Sequence, residues 1–154
     1  MPKITPFLWF DTQAEEAALL YTSIFKNSRI NDVSRNGPDG AAFVVSFELD
    51  GQAVTALNGG PLFPFTEAFS FSVDCEDQAE VDYYWERLLA GGGQESQCGW
   101  LKDKFGLSWQ IVPKPLGELT SGPDPDKARR VIAAMLKMVK LDLAELRWAY
   151  HGEG

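Results

Sequence analysis

The pattern of apolar and polar residues shows the same succession of elements twice between Ile4 and Pro113. Apolar residues at helical spacing predict helices at 11–25 and 76–89. Alternating or continuous apolar runs predict strands at 4–10, 30–35, 41–49, 52–57, 69–75, 98–101 and 107–112. Each half is therefore predicted to have the order β-α-β-β-β.

Short matches in sequence support an internal duplication. Gln13-Ala14-Glu15 at the start of the first helix recurs as Gln78-Ala79-Glu80 at the start of the second, and Gly51 and Gly106 mark equivalent hairpins. Their agreement with the order of the elements is what makes a repeat convincing. Asp11 or Thr12 is expected to cap the first helix.

Breakers separate the remaining elements. Residues 36–40 form an expected turn rich in Gly, Pro, Asn and Asp, and residues 121–125 form a second breaker cluster. An amphipathic helix is predicted at 126–140, and Asp142 starts a capping box before a last short helix through Trp148. Such helices are usually packing elements, so this tail is interpreted as a lid over the sheets or a dimer contact.

Charge and composition exclude several classes of function. The 154 residues carry 14 Lys plus Arg against 22 Asp plus Glu, a net charge of −8, so nucleic acid is not an expected partner. His151 is the single histidine, which excludes a His-rich metal site. With no signal-like start, no membrane-length apolar run and two cysteines, the sequence predicts a cytoplasmic protein that does not bind membranes.

Tandem modules of this order resemble the vicinal oxygen chelate superfamily of glyoxalase, bleomycin-resistance and extradiol dioxygenase proteins. The amino-acid sequence resembles that of the PhnB-like branch, some of whose members are labelled 3-demethylubiquinone-9 3-methyltransferase. The segments that carry this resemblance are residues 4–11, 13–17, 56–61 and 98–113, and similarity continues through 135–146. The resemblance implies an α+β fold in which tandem βαβββ modules form a curved mixed sheet with a cleft, plus C-terminal helices.

The implied organisation is one domain, 1–154. It contains a first module at 1–62, a second at 67–115 and a helical extension at 124–150. The superfamily often assembles its pockets from paired modules, so a homodimer is expected. No Gly-rich turn follows a strand and opens a helix, so no nucleotide-like cofactor, and in particular no S-adenosylmethionine, is expected.

Metal enzymes of the superfamily place His or Glu at four inward strand positions. Carried over by strand register, these positions hold Thr5, Thr55, Ser70 and Gln110. All four are neutral oxygen donors, which compete poorly with water for a divalent transition metal. The sequence therefore predicts no metal and no other cofactor.

Strand alternation predicts which residues face the cleft. Ile4, Leu8, Phe69 and Phe71 would pack under the helices. The expected pocket lies between the two modules, on a concave face lined by Phe7, Trp9, Thr55, Ser70 and Gln110. An apolar aromatic floor with neutral hydrogen-bonding groups suits a small, partly aromatic ligand. The competing interpretation is a filled core whose polar atoms are satisfied by water or backbone.

Three functions fit these observations. The leading hypothesis is a metal-free small-molecule-binding protein. The alternative is an enzyme, either a glyoxalase-like lyase or isomerase or the methyltransferase named for its relatives. Catalysis would need a general base, for which Asp74, Glu48 or Cys98 could serve. The third is an interaction module. Asp103 with Lys102 is interpreted as a solvated hairpin pair.

Overall fold

The computed structural model describes residues 3–36 and 40–152. Residues 37–39, the centre of the turn expected at 36–40, lie outside the described residues. The chain divides into two compact units, Met1–Phe65 and Thr66–Gly154. Each unit is built on its own four-stranded mixed sheet, and neither sheet closes into a barrel.

The first unit has the predicted β-α-β-β-β order. Its elements are β1 (Phe7–Phe10), α1 (Ala14–Ile24), β2 (Arg29–Asn36), β3 (Ala41–Leu49) and β4 (Gln52–Asn58). The strand order across the sheet is β1-β4-β3-β2, with β1 parallel to β4 and the other pairs antiparallel. Asp50 and Gly51 both have positive φ, at 50° and 79°, as the predicted two-residue hairpin turn requires.

The second unit repeats this arrangement. Its elements are β5 (Ser70–Cys75), α2 (Gln78–Leu89), β6 (Gln94–Glu95), β7 (Trp100–Lys102) and β8 (Ser108–Pro113). The strand order is β5-β8-β7-β6, with β5 parallel to β8. No apolar run in the sequence marks β6, because both of its residues are polar and exposed.

The strand registers support the internal duplication. Phe7 pairs with Thr55 in the first unit, and Ser72 pairs with Gln110 in the second. The interval from Phe7 to Ser72 equals the interval between the two Gln-Ala-Glu matches, and the interval from Thr55 to Gln110 equals that between the two hairpin glycines. The same pair of strands therefore meets in the same register in both halves.

The two helices begin in different ways. Asp77 caps α2, since its side chain accepts a hydrogen bond from the Glu80 backbone N–H at 3.0 Å. The expectation that Asp11 or Thr12 caps α1 is wrong: the N-cap residue is Gln13, which makes no side-chain cap bond. Asn58 takes that role from the end of β4, and its Oδ1 accepts from the Ala14 N–H at 2.8 Å.

Each helix covers one face of its own sheet. In the first unit the buried residues include Leu8, Phe10, Ala17, Ala18, Tyr21, Val45, Phe47, Val54 and Ala56. In the second they include Cys75, Val81, Trp85, Leu88, Leu101, Leu107, Trp109 and Ile111. These two sets account for the amphipathic patterns along the chain, because burying apolar area is the main favourable term in folding.

The first strand is shorter than predicted. It begins at Phe7, so Ile4, which is 86% exposed, does not pack under a helix, and Thr5 lies before the strand. Pro6 explains the late start, because proline has no N–H to donate to a strand ladder. Phe69 is also 44% exposed, contrary to its expected place under the helix.

Three helices follow the second sheet: α3 (Pro115–Thr120), α4 (Pro125–Met135) and α5 (Leu143–His151). No predicted element covers the short α3, which begins at Pro115, a residue type well suited to the first turn of a helix. The α4 helix ends earlier than the predicted 126–140. These helices share a core of Leu116, Val131, Met138, Leu141 and Leu146.

Gln78, at the start of α2, joins the helical tail to the second module. Its Nε2 donates to the Leu141 carbonyl at 3.0 Å, and its Oε1 accepts from the Leu143 N–H at 2.8 Å. Asp142 caps α5 as predicted, accepting from the Glu145 N–H at 3.1 Å. Across the described residues, no helix is both long and apolar enough to span a membrane.

Candidate functional site

The second sheet has one face under α2 and one face turned away from it. Leu101, Trp109 and Ile111 are buried on the helix side. Because side chains alternate along a strand, their neighbours point to the opposite side. This opposite side, called the open face below, carries Ser70, Ser72, Trp100, Lys102, Ser108 and Gln110.

Ser70 and Gln110, two of the residues predicted from strand register, meet on the open face. Gln110 Nε2 donates a hydrogen bond to Ser70 Oγ at 3.0 Å. This bond does not use the Gln110 carbonyl oxygen Oε1, which keeps its capacity to accept. Trp100 pairs with Gln110 in the register of β7 and β8, so an indole lies beside the amide.

Ser108 is the unusual polar group of this face. It lies opposite Ser70 in the β5–β8 register and is only 1% exposed. Among the described residues, its hydroxyl oxygen is buried without a hydrogen-bond partner. Buried hydroxyls are nearly always hydrogen-bonded, so an orphaned one marks a place where a bound group could donate or accept.

An ion pair at the edge of this face was not found by sequence reasoning. Lys102 lies opposite Ser108 in the β7–β8 register, and its Nζ contacts the carboxylate of Glu67. The hydrogen bond from Lys102 is the main cause that holds the pKa of Glu67 below its ordinary value. Glu67 lies outside every predicted element, whereas side-chain alternation along β7 and β8 could have placed Lys102 on the same face as Gln110.

The residues predicted for the first module lie on the corresponding face of the first sheet. Phe7 pairs with Thr55, and Trp9 pairs with Leu57, on the side away from α1. Phe7 is 59% exposed. Thr5 lies before β1 and outside the ladder.

Trp9 is held by the segment that follows β4. Its Nε1 donates to the Gly60 carbonyl at 2.9 Å, and its ring meets Phe63 edge-on at 4.9 Å between centroids. A Cβ atom on Gly59 would lie 2.4 Å from the Trp9 ring, so only glycine fits there. Phe65 also meets Phe10 edge-on, so the segment 63–65 packs on β1 within the first unit.

The candidate general bases lie in three different environments. Glu48 pairs with Arg29 at 2.8 Å, and this hydrogen bond is the main cause that lowers the pKa of Glu48. Asp74 is exposed on β5. Cys98 is half-buried and has a positive φ of 58°.

The interpretation of Asp103 as a solvated partner of Lys102 is wrong. Asp103 is 3% exposed, and its carboxylate accepts from the Phe105 N–H at 2.9 Å, the Leu107 N–H at 3.1 Å and Trp109 Nε1 at 2.9 Å. It is a structural anchor for the β7–β8 turn.

The chemistry of the donors argues against a transition metal on the open face. Ser70 and Gln110 supply a hydroxyl and an amide, already bonded to each other, and divalent transition metals prefer imidazole, thiolate or carboxylate ligands. Within residues 3–36 and 40–152, no group of three or more His, Cys, Asp or Glu side chains could hold a metal ion. The residues present do not fit the superfamily's metal centre.

Sequence comparison identifies the family. The model of the 3-demethylubiquinone-9 3-methyltransferase family matches residues 2–112. The chain belongs to this family. Among solved structures, the PhnB protein from Bacillus cereus is 35% identical, with a TM-score of 0.68, over 73% of this chain and 99% of its own. None of the curated proteins matches this chain.

More distant structures share the fold. Protein PA1353 from Pseudomonas aeruginosa is 18% identical with a TM-score of 0.61, over 74% of this chain and 98% of its own. The fosfomycin resistance protein FosX from Listeria monocytogenes is 20% identical with a TM-score of 0.55, over 76% of this chain and 94% of its own. The family match and the 35% identical PhnB protein place the chain in the PhnB-like branch of the vicinal oxygen chelate superfamily, and the more distant structures show the fold alone. The family match ends at residue 112, before α3, so it does not support the expected similarity over 135–146.

Proposed function

We propose that this chain is a metal-free small-molecule-binding protein of the glyoxalase/bleomycin-resistance type, whose ligand contacts the open face of the second sheet. The observation that carries the proposal is the group formed by Ser70, Ser108 and Gln110. These side chains lie on adjacent strands, one hydrogen bond joins two of them, and the hydroxyl of the third is buried without a partner among the described residues.

The chemistry of this group indicates the kind of ligand. An amide and two hydroxyls can donate and accept but carry no charge, and Trp100 adds an aromatic surface next to Gln110. Ligand sites commonly combine apolar walls with a few polar groups that fix orientation. The ligand class that fits is a small aromatic or amphipathic molecule bearing a carbonyl or hydroxyl. That Phe7, Trp9 and Thr55 line the same pocket stays a prediction.

Substitution of Gln110 tests the proposal. Small aromatic amides and ketones would be screened by backbone amide NMR on protein treated with EDTA, and fragments that shift Ser70, Trp100, Ser108 and Gln110 would be kept. Gln110→Leu removes the amide at similar bulk and should weaken the best fragment by about 1–3 kcal/mol, because its buried partner is left unsatisfied.

Gln52→Leu is the matched control, because Gln52 is an exposed strand residue whose side chain donates only to its neighbour, Ala53. Equal affinities of the two variants, or shifts confined to other surfaces, would contradict the proposal. The methyltransferase alternative makes a different prediction, which is that S-adenosylmethionine binds with a micromolar dissociation constant in calorimetry.

A further inference from the structure

The ion pair of Glu67 and Lys102 joins two parts of the second unit that are not neighbours in the strand order. Glu67 lies in the loop before β5, and Lys102 lies on β7, while β8 separates these two strands. Ser108 is the β8 residue that lies opposite both Ser70 and Lys102.

Ser108, whose buried hydroxyl has no partner among the described residues, lies in register between Ser70 and Lys102. The Lys102 ammonium and the Glu67 carboxylate contact each other, and neither of them bonds to Ser108 Oγ. A polar atom in this state gains a hydrogen bond if another group with a suitable oxygen enters. The unpaired Ser108 hydroxyl and the Lys102 ammonium can both donate a hydrogen bond. Both therefore favour the same kind of ligand group, an oxygen that carries negative charge.

Glu67 is the more replaceable partner of the pair. It lies in a loop and its side chain is 60% exposed, whereas Lys102 lies on a strand and its side chain is 35% exposed. Ion pairs between solvent-exposed side chains contribute little net stability, so the Glu67 carboxylate can be exchanged for another at small cost. The lowered pKa of Glu67 agrees with a charged carboxylate on Lys102 near neutral pH.

We propose that the Glu67 carboxylate occupies the place of a ligand carboxylate, and that the open face binds small aromatic carboxylates. The ligand's carboxylate would contact Lys102 Nζ and Ser108 Oγ, and its ring would lie against Trp100 beside Gln110. This inference rests on the proposed function, since it uses the same face, and it names the charged part of the ligand.

Benzoate and its neutral isostere benzamide test the inference. In Glu67→Ala the internal competitor is gone, and a tethered competitor acts like a millimolar free one. Benzoate should then bind about 2- to 6-fold more tightly than to the wild type, the factor by which a weak exposed ion pair can compete, with NMR shifts at Trp100, Lys102 and Ser108. Benzamide should bind both proteins alike, and adding Lys102→Gln should remove the gain for benzoate.

Glu76→Ala is the matched control, because Glu76 forms an exposed ion pair with Lys114 in the same unit. An equal gain for benzoate in Glu67→Ala and Glu76→Ala would overturn the inference, as would an equal gain for benzamide in Glu67→Ala. If neutral fragments remain sensitive to Gln110→Leu while Glu67→Ala changes nothing, this inference fails and the proposed function stands. If benzoate binds as expected but Gln110→Leu changes the affinity of no fragment, the carboxylate site stands and the proposed role of Gln110 fails.

Discussion

At the scale of single residues, several elements are held by side-chain hydrogen bonds to groups that are far away in the sequence or in a neighbouring turn. Asn58 is the clearest case: its Oδ1 caps α1 and its Nδ2 donates to the Ala42 carbonyl at 3.0 Å. One amide thus joins the end of β4 to both the helix and β3. Asp103 does the same for a turn, because one buried carboxylate accepts from two backbone N–H groups and an indole.

Asn58→Ala should destabilise the protein by about 1–3 kcal/mol, because two half-buried backbone groups lose their partners. The measurement is urea unfolding followed by circular dichroism. Asn58→Asp keeps the acceptor for the Ala14 N–H and adds a charge that suits a helix N-terminus, so it should lose less. An alanine variant as stable as the wild type would show that Asn58 does not hold these elements together.

Cys75 should be far less reactive than Cys98. Burial is the main cause that raises the pKa of the Cys75 thiol to about 12, from an ordinary value of 9.0, so almost none of it is thiolate near pH 8. Cys98 is only half-buried. Alkylation with iodoacetamide at pH 8, read by mass spectrometry, should modify Cys98 first. Faster labelling of Cys75 in the folded protein would contradict its buried placement.

The raised pKa of Cys75 also gives stability a definite pH dependence. In the unfolded chain the thiol loses its proton near pH 9, whereas in the folded protein it keeps it until about pH 12. The folded state therefore binds more protons between these values, and the contribution of Cys75 to stability falls as pH rises above 9. Below pH 8 this group should add no pH dependence.

At the scale of elements, the spacing of apolar residues predicted where the helices and strands lie better than the capping residues predicted where they begin and end. Alternation located the strands that pair, and the two sequence intervals of the repeat matched the observed strand registers. The ends of elements depended on contacts that no local pattern contains: Pro6 delays β1, Asn58 caps α1 from another strand, and Pro115 starts a helix. The Glu67–Lys102 pair was missed for the same reason, since it joins a loop residue to a strand residue far away in the sequence.

Gln78 joins α2 to the segment before α5, and its replacement should have a local effect that can be measured. It is the repeat equivalent of Gln13, but its side chain binds the segment that leads into α5. Gln78→Leu should loosen the helical tail and speed amide hydrogen exchange in α4 and α5, while the first unit exchanges as before. Gln13→Leu is the control at the equivalent position. Unchanged protection of α5 in Gln78→Leu would show that the tail is held by its own core alone.

At the scale of the whole molecule, a duplicated β-α-β-β-β unit accounts for residues 7–113, and a helical tail follows beyond the family match. The tail leaves apolar side chains in solvent: Ile132 is 39%, Leu136 58% and Trp148 53% exposed. Exposed apolar surface of this kind is common at contacts between proteins. The fold class could be predicted because both halves repeat one pattern. The charged groups of the site could not, because the loop before β5 brings Glu67 to Lys102.

A homodimer remains the expected assembly. Sedimentation velocity at tens of micromolar should show a dimer, and Leu136→Asp should shift it toward monomer by placing a charge among the tail's exposed apolar residues. Leu19→Asp is the matched control, because Leu19 is 57% exposed on α1. A monomer at every concentration would contradict the dimer. A dimer equally weakened by both variants would contradict the role of the tail.

The proposed function requires that Ser70, Ser108 and Gln110 recognise an organic ligand without a metal. The most direct measurement is a crystal structure of EDTA-treated protein soaked with the tightest fragment from the NMR screen. The predicted result is the fragment on the open face of the second sheet, with a polar atom within about 3 Å of Gln110 or Ser108 and no metal between them. The contradicting result is an open face filled by packed side chains, with the fragment bound elsewhere or through a metal ion.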